Sequence, residues 1–149
     1  MMLRLLGPDD WETWRDLRLA ALATSPEAFG SKLADEQEYD EAAWRDMMTS
    51  GVRVVAEAPE PAGLVGGTPH DGRPDILVLW SVWVRTSHQG QGIGEALVRE
   101  VLTWAAEQGV RRVTLHVFDH NDRARRLYQR LGFVEVPGHP AHMQYFVRP

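Results

Sequence analysis

VWVRTSHQGQGIGEAL, residues Val82 to Leu97, is the stretch whose reading decides the fold. It runs from the end of an apolar strand through a polar turn with three glycines into an amphipathic helix. That order aims free backbone N–H groups at an anion. Gly90, Gly92 and Gly94 alternate with Gln91 and Ile93, so the backbone is expected to take up positive φ there and to let a ligand come close. A turn of this kind also serves as a plain tight connection, and the stretch alone leaves both readings open.

Working outward, the run from Ile76 to Val84 is apolar except for Ser81 and suits a central strand covered on both faces. Downstream, Ile93, Ala96, Leu97, Val101, Trp104 and Ala105 keep helical period, and Gly109 is placed to end that helix. Arg112 to Val117 reads as a second interior strand, and strand, helix, strand favours parallel pairing with a right-handed crossover. Asn121 or Asp122 caps a last helix that carries Ala124, Leu127, Tyr128 and Leu131 on one face and stops at Gly132. Phe133 to Val136 and Met143 to Val147 complete the strands.

Upstream, Leu3, Leu5 and Leu6 form a first strand, and Pro8-Asp9-Asp10 precedes a helix whose face is Trp11, Trp14, Leu17 and Ala21. Thr24-Ser25-Pro26 closes it. Asp40 caps a second helix with Ala43, Trp44, Met47 and Met48 on one side, ended by Gly51. Val52 to Glu57 and Gly63 to Thr68 pair as a hairpin across Pro59-Glu60-Pro61, and residues 69–74 make a further turn. The acids Asp35, Glu36, Glu38, Asp40 and Glu41 are expected to form a solvated face and a cap. With no repeat, low-complexity tract or linker, residues 1–149 are expected to form a single domain.

A length of 149 residues with 44% hydrophobic content suits one domain with a real core. The longest apolar run falls well short of the roughly 18 residues of a membrane span, so no membrane association is expected. Arg4 is followed by Asp9 and Asp10, which is not the order of a secretory signal, and a cytoplasmic protein is expected. Zero Cys excludes a disulfide framework, a thiolate nucleophile and a Cys-based zinc site, and no metal is expected. A formal charge of −5 argues against a broad nucleic-acid surface and tolerates cationic partners.

Gln89-Gly90-Gln91-Gly92-Ile93-Gly94, directly after Val82-Trp83-Val84, resembles the Gln/Arg-x-x-Gly-x-Gly/Ala signature of the GNAT superfamily of N-acetyltransferases. A second block agrees with it: Leu115-His116-Val117, Asn121, Ala124, Leu127-Tyr128 and Leu131-Gly132-Phe133 are similar to that family's later strand and helix. The resemblance implies an α/β fold with a mixed, mostly antiparallel seven-stranded sheet, flanked by about four helices and splayed between its two central strands. It implies acetyl-CoA as cosubstrate, with the pyrophosphate on the N–H groups of Gly90, Gln91, Gly92, Ile93, Gly94 and Glu95 beside Gln89. The pantetheine arm would pair with the strand edge at Val82 and Val84, and the Val82 N–H would face the thioester oxygen.

By the same resemblance Tyr128 protonates or stabilises the departing thiolate, and Asn121 hydrogen-bonds the pantetheine arm. The general base does not carry over. One branch places a glutamate four residues before the oxyanion N–H, where this chain has Val78. Another places one twelve residues before the tyrosine, where this chain has His116. An imidazole can relieve an ammonium of its proton, so His116 is the preferred base, with Glu36, Glu38 and His142 as outside candidates. The implied reaction is direct acetyl transfer in a ternary complex to a primary amine, either a small molecule or a peptide N-terminus. Residues 35–41 together with Trp80 and Trp83 would suit a cationic amine with an apolar body. The alternative is a non-catalytic acyl-CoA sensor of the same fold. A nucleotide switch would want a Lys-Ser/Thr pair after the glycines, which is missing. Homodimer formation is common among proteins that look like this and is compatible with the sequence.

Overall fold

The computed structural model describes residues 1–25, 32–118 and 121–148, and Pro26 of the expected helix end lies outside them. Seven strands, β1 (Met2–Leu5), β2 (Val52–Glu57), β3 (Pro61–His70), β4 (Arg73–Val84), β5 (Arg112–His116), β6 (Val134–Val136) and β7 (His139–Phe146), form one sheet in the order β1-β2-β3-β4-β5-β7-β6. Every neighbouring pair is antiparallel except β4 and β5. The helices are α1 (Trp11–Thr24), α2 (Leu33–Glu36), α3 (Glu41–Asp46), α4 (Ile93–Glu107) and α5 (Asp122–Leu131).

The sheet separates two apolar cores. On one face α4 and α5 bury Leu97, Val98, Val101 and Leu131 against Val54, Leu79, Val113 and Met143. On the other, α1 and α3 bury Trp14, Leu17 and Trp44 against Val55, Leu64 and Trp83. Period-2 alternation along β2 sends Val54 and Ala56 to the first core and Val55 to the second. Sequence capping works as read: Asp40 Oδ1 accepts from the Ala43 N–H at 2.9 Å, and Asn121 Oδ1 from the Ala124 N–H at 3.2 Å. Gly109 (φ 74°) and Gly132 (φ 105°) follow the ends of α4 and α5 in the left-handed conformation. The turn between β3 and β4 shrinks to Asp71-Gly72, and β7 begins four residues before the expected Met143.

Two features of β4 open the sheet. Its pairing with β5 covers only Ile76–Val78 against Arg112–Thr114, and beyond Val78 the two strands part. On the β3 side the register jumps between Leu64↔Trp83 and Gly66↔Trp80, so Ser81 and Val82 together oppose Val65. This is a β-bulge, and Ser81 carries it at φ 61°, a conformation rare outside glycine. The extra residue inverts the alternation. Regular pleating would send Ser81 and Trp83 to the side of Leu77 and Leu79. Instead Val82 and Val84 lie there, and Trp83 packs with the α1 core.

The acidic segment departs from its expected solvated role. α2 buries Glu36, which is 1% exposed and meets Arg18 of α1 in a bidentate ion pair at 2.9 Å for both contacts. The sequence neighbours of Glu36 hide this, because its partner lies eighteen positions away on another helix. No helix among the described residues is long and apolar enough to cross a membrane.

Candidate active site

Where β4 and β5 part, a cleft of about 660 Å³ opens between the end of β4, the glycine turn, the start of α4 and one face of α5. Gly90 and Gly92 both take φ 80°, and a Cβ at either would meet nothing within 4 Å. Their need for glycine is therefore conformational, set by the left-handed turn. Gly94 differs from its expected role: it has no positive φ, and a Cβ there would make ordinary contact with Leu127 and Val84 at 3.7 and 3.8 Å. The first α4 bond onto the turn is from the Ala96 N–H to the Gly92 carbonyl at 3.1 Å. Among the described residues, the N–H groups of residues 90–95 find no acceptor, so the positive end of a fifteen-residue helix faces the cleft.

Of the residues read from sequence as ligand-binding, Val82, Val84, Gln89, Gly90, Gly92, Ile93, Gly94, Glu95, Asn121 and Tyr128 line this one cleft. Gln91 does not reach the wall. Gln89 is held from both sides: its Nε2 donates to the Val84 carbonyl at 3.2 Å, and its Oε1 accepts from Arg123 at 3.4 Å. Arg123, Arg126 and Arg130, spaced along one face of α5, bring cationic groups to the rim, which sequence reading had not singled out. Their i, i+3, i+7 spacing was the available clue.

Tyr128 is 7% exposed, its ring tilted against Phe133 at 5.6 Å, and burial pushes its hydroxyl well above the usual tyrosine range. A protonated phenol therefore stands on the cleft wall. His116 is not on that wall. It is exposed at the end of β5, opposite His142 of β7, with ring centroids 5.0 Å from His142 and 4.6 Å from Phe118. Phe118, two residues on, does line the cleft.

Two acceptor-side expectations are corrected. Glu36 is tied to Arg18 and is not available as a base. Trp80 does not present an open face to a cationic amine: Arg18 and Arg53 lie 5.4 and 4.9 Å from its ring and it is not part of the cleft wall, whereas Trp83 does line the cleft, with Arg85 5.9 Å from its ring. The Trp80 indole is already engaged by the protein's own guanidinium groups. Among the described residues no group of three or more His, Asp or Glu converges as a metal site.

Comparison with known proteins adds to this geometry. Yeast (Saccharomyces cerevisiae) N-alpha-acetyltransferase 40 is 40% identical over 90 residues, covering 55% of this chain and 32% of that protein. A mycothiol acetyltransferase of Salinispora tropica is 34% identical over 141 residues, covering 89% of this chain and 44% of that protein. The chain thus spans less than half the length of these curated relatives. The Salmonella typhimurium protein yncA, solved with its cofactor acetyl-CoA, superposes with a TM-score of 0.75 at 21% identity, over 100% of this chain and 95% of that one. The profile of the Acetyltransferase (GNAT) family matches residues 11–133, and the chain belongs to that family.

Proposed function

We propose that the cleft binds acetyl-CoA and that the chain, as a single catalytic domain of the cytoplasm, transfers the acetyl group to a primary amine by direct attack in a ternary complex. One observation carries this: unpaired N–H groups at the start of α4, the unpaired edge of β4 and the protonated Tyr128 converge on one cleft. The fit is chemical as well as spatial. The α4 end suits a pyrophosphate, and the Val82, Val84 and Leu127 wall suits an apolar arm alongside a strand edge. The names of the relatives and the acetyl-CoA bound by a neighbour of the same fold support the reading.

When bound, acetyl-CoA supplies an activated thioester. The chain's own residues do the rest. The Val82 N–H, fixed by the strand, donates to the acyl oxygen as charge develops on it, an interaction stronger in the transition state than before it. Tyr128 holds a proton ready for the leaving sulfur. Asn121 presents its remaining polar atoms to the arm while its Oδ1 caps α5. His116, from outside the wall, relieves the incoming ammonium of its proton through water. With no Cys in the chain there is no thiol to carry the acetyl group, which favours direct attack.

Release of CoA thiol with a panel of small amines and peptides bearing free N-termini tests this. Turnover on at least one amine, dependent on Tyr128, is the expected result. Tight acetyl-CoA binding with no thiol release on any amine would overturn it in favour of a sensor. For His116→Ala, turnover is expected to fall most at low pH, where the amine most needs a base; an unchanged pH profile removes His116 from the reaction.

A further inference from the structure

The bulge in β4 is held by a buried polar cluster that the cleft itself does not contain. Arg18 of α1 is 6% exposed, Glu36 of α2 1% and Ser81 of β4 9%. Both guanidinium contacts to Glu36 measure 2.9 Å, and a further Arg18 nitrogen donates to Ser81 Oγ. The guanidinium also lies 5.4 Å from the Trp80 ring, so it grips two consecutive residues of β4. Ser81 is the sole non-glycine residue among those described to adopt positive φ, and it immediately precedes Val82 on the cleft wall.

A buried ion pair is seldom the most stable filling for a core, since apolar residues of similar volume commonly do as well or better. A serine at φ 61° is likewise disfavoured without something to hold it. Both features make sense together if what they secure is the direction of the backbone at the bulge. We propose that Arg18, oriented by Glu36, is a positioning residue: its hydrogen bond to Ser81 locks the left-handed bulge and so sets the angle at which the Val82 N–H enters the cleft. The inference rests on the acetyl-transfer reading for what that N–H does. It stands on its own for where the N–H points. Because Glu36 follows the segment after α1, the same contact ties α2 to the reacting end of β4.

The test compares wild type with Ser81→Ala, which removes the hydroxyl, Ser81→Gly, which also frees the backbone, and the double variant Arg18→Met with Glu36→Leu, which replaces the pair by apolar groups of similar length. For each, kcat, the KM for acetyl-CoA, the affinity for coenzyme A by calorimetric titration, the melting temperature and the Val82 amide resonance are measured. Folded variants are expected to bind coenzyme A within about twofold of wild type while kcat falls about ten- to a hundredfold, as for a displaced oxyanion donor. Ser81→Gly is expected to lose at least as much kcat as Ser81→Ala, since relieving the strain without the hydrogen bond leaves the bulge free to move.

Unchanged kcat in a folded Ser81→Ala would overturn the proposal, as would a loss confined to KM or to stability. If the double variant does not fold, the two Ser81 variants decide. If wild type turns over no amine, the acetyl-transfer reading fails separately, and the Val82 amide still decides in variants that leave residue 81 unchanged: a resonance shifted in the double variant, or in Glu36→Gln if the double variant does not fold, supports the positioning role, and an unmoved one removes it.

Discussion

Tyr128 is the residue whose chemistry is set most directly by its surroundings. Burial raises its pKa from the ordinary 10.0, so the folded protein keeps a phenolic proton throughout the neutral range. Tyr128→Phe is expected to lower kcat by about a hundredfold and leave the acetyl-CoA KM within about threefold, read by thiol release. The same shift links to stability. Below pH 10 both states are protonated and the contribution is fully present; as pH rises past 10 the unfolded chain loses the proton that the folded one keeps, and stability falls. Urea midpoints measured on either side of that value are expected to drop in wild type and to drop less in Tyr128→Phe. Helical period alone marks Tyr128 as one more apolar-face residue; its spacing from Asn121 and Gly132 within a family pattern is what singled it out.

At the scale of elements, the glycine turn and α4 divide the work unequally among three glycines that look alike in sequence. Gly92→Ala meets no atom but must hold φ 80°, a strain of about 1–2 kcal/mol, and the acetyl-CoA KM is expected to rise roughly five- to thirtyfold as the turn relaxes and the N–H groups disperse. Gly94→Ala, with only ordinary contacts to Leu127 and Val84, is expected to leave the melting temperature within about 2 °C. A thermal loss at Gly94 as large as at Gly92 would show that crowding, and not backbone conformation, governs the turn. Caps, helix periods and the parallel β4–β5 pair were legible because each depends on residues close in sequence. The bulge was not: Ser81 reads as a polar interruption in an apolar run, and only pairing with β3 reveals that it is an extra residue.

Across the whole molecule, two cores on opposite faces of one sheet hold the parted strands β4 and β5 at a set opening. Leu97, fully buried between α4 and the sheet, also lies within reach of Gly63 of β3, where a Cβ would come 3.2 Å from its Cδ1. Leu97→Ala is expected to cost about 2–5 kcal/mol in urea denaturation, with kcat per folded molecule changed less than about threefold, since the cavity lies behind the cleft and not in its wall. Sequence by itself determined the order of the strands and of every α-helix but α2, the left-handed glycine turn before α4, the capping residues and the family, because hydrophobic period, glycine spacing and short motifs are local properties of the chain. Tertiary structure alone decided that Glu36 is buried against Arg18, that Trp80 is engaged internally while Trp83 reaches the cleft, that His116 stands off the cleft wall and that a bulge turns Val82 toward it. Each of these depends on which residues distant in sequence are brought into contact, and no local pattern records that.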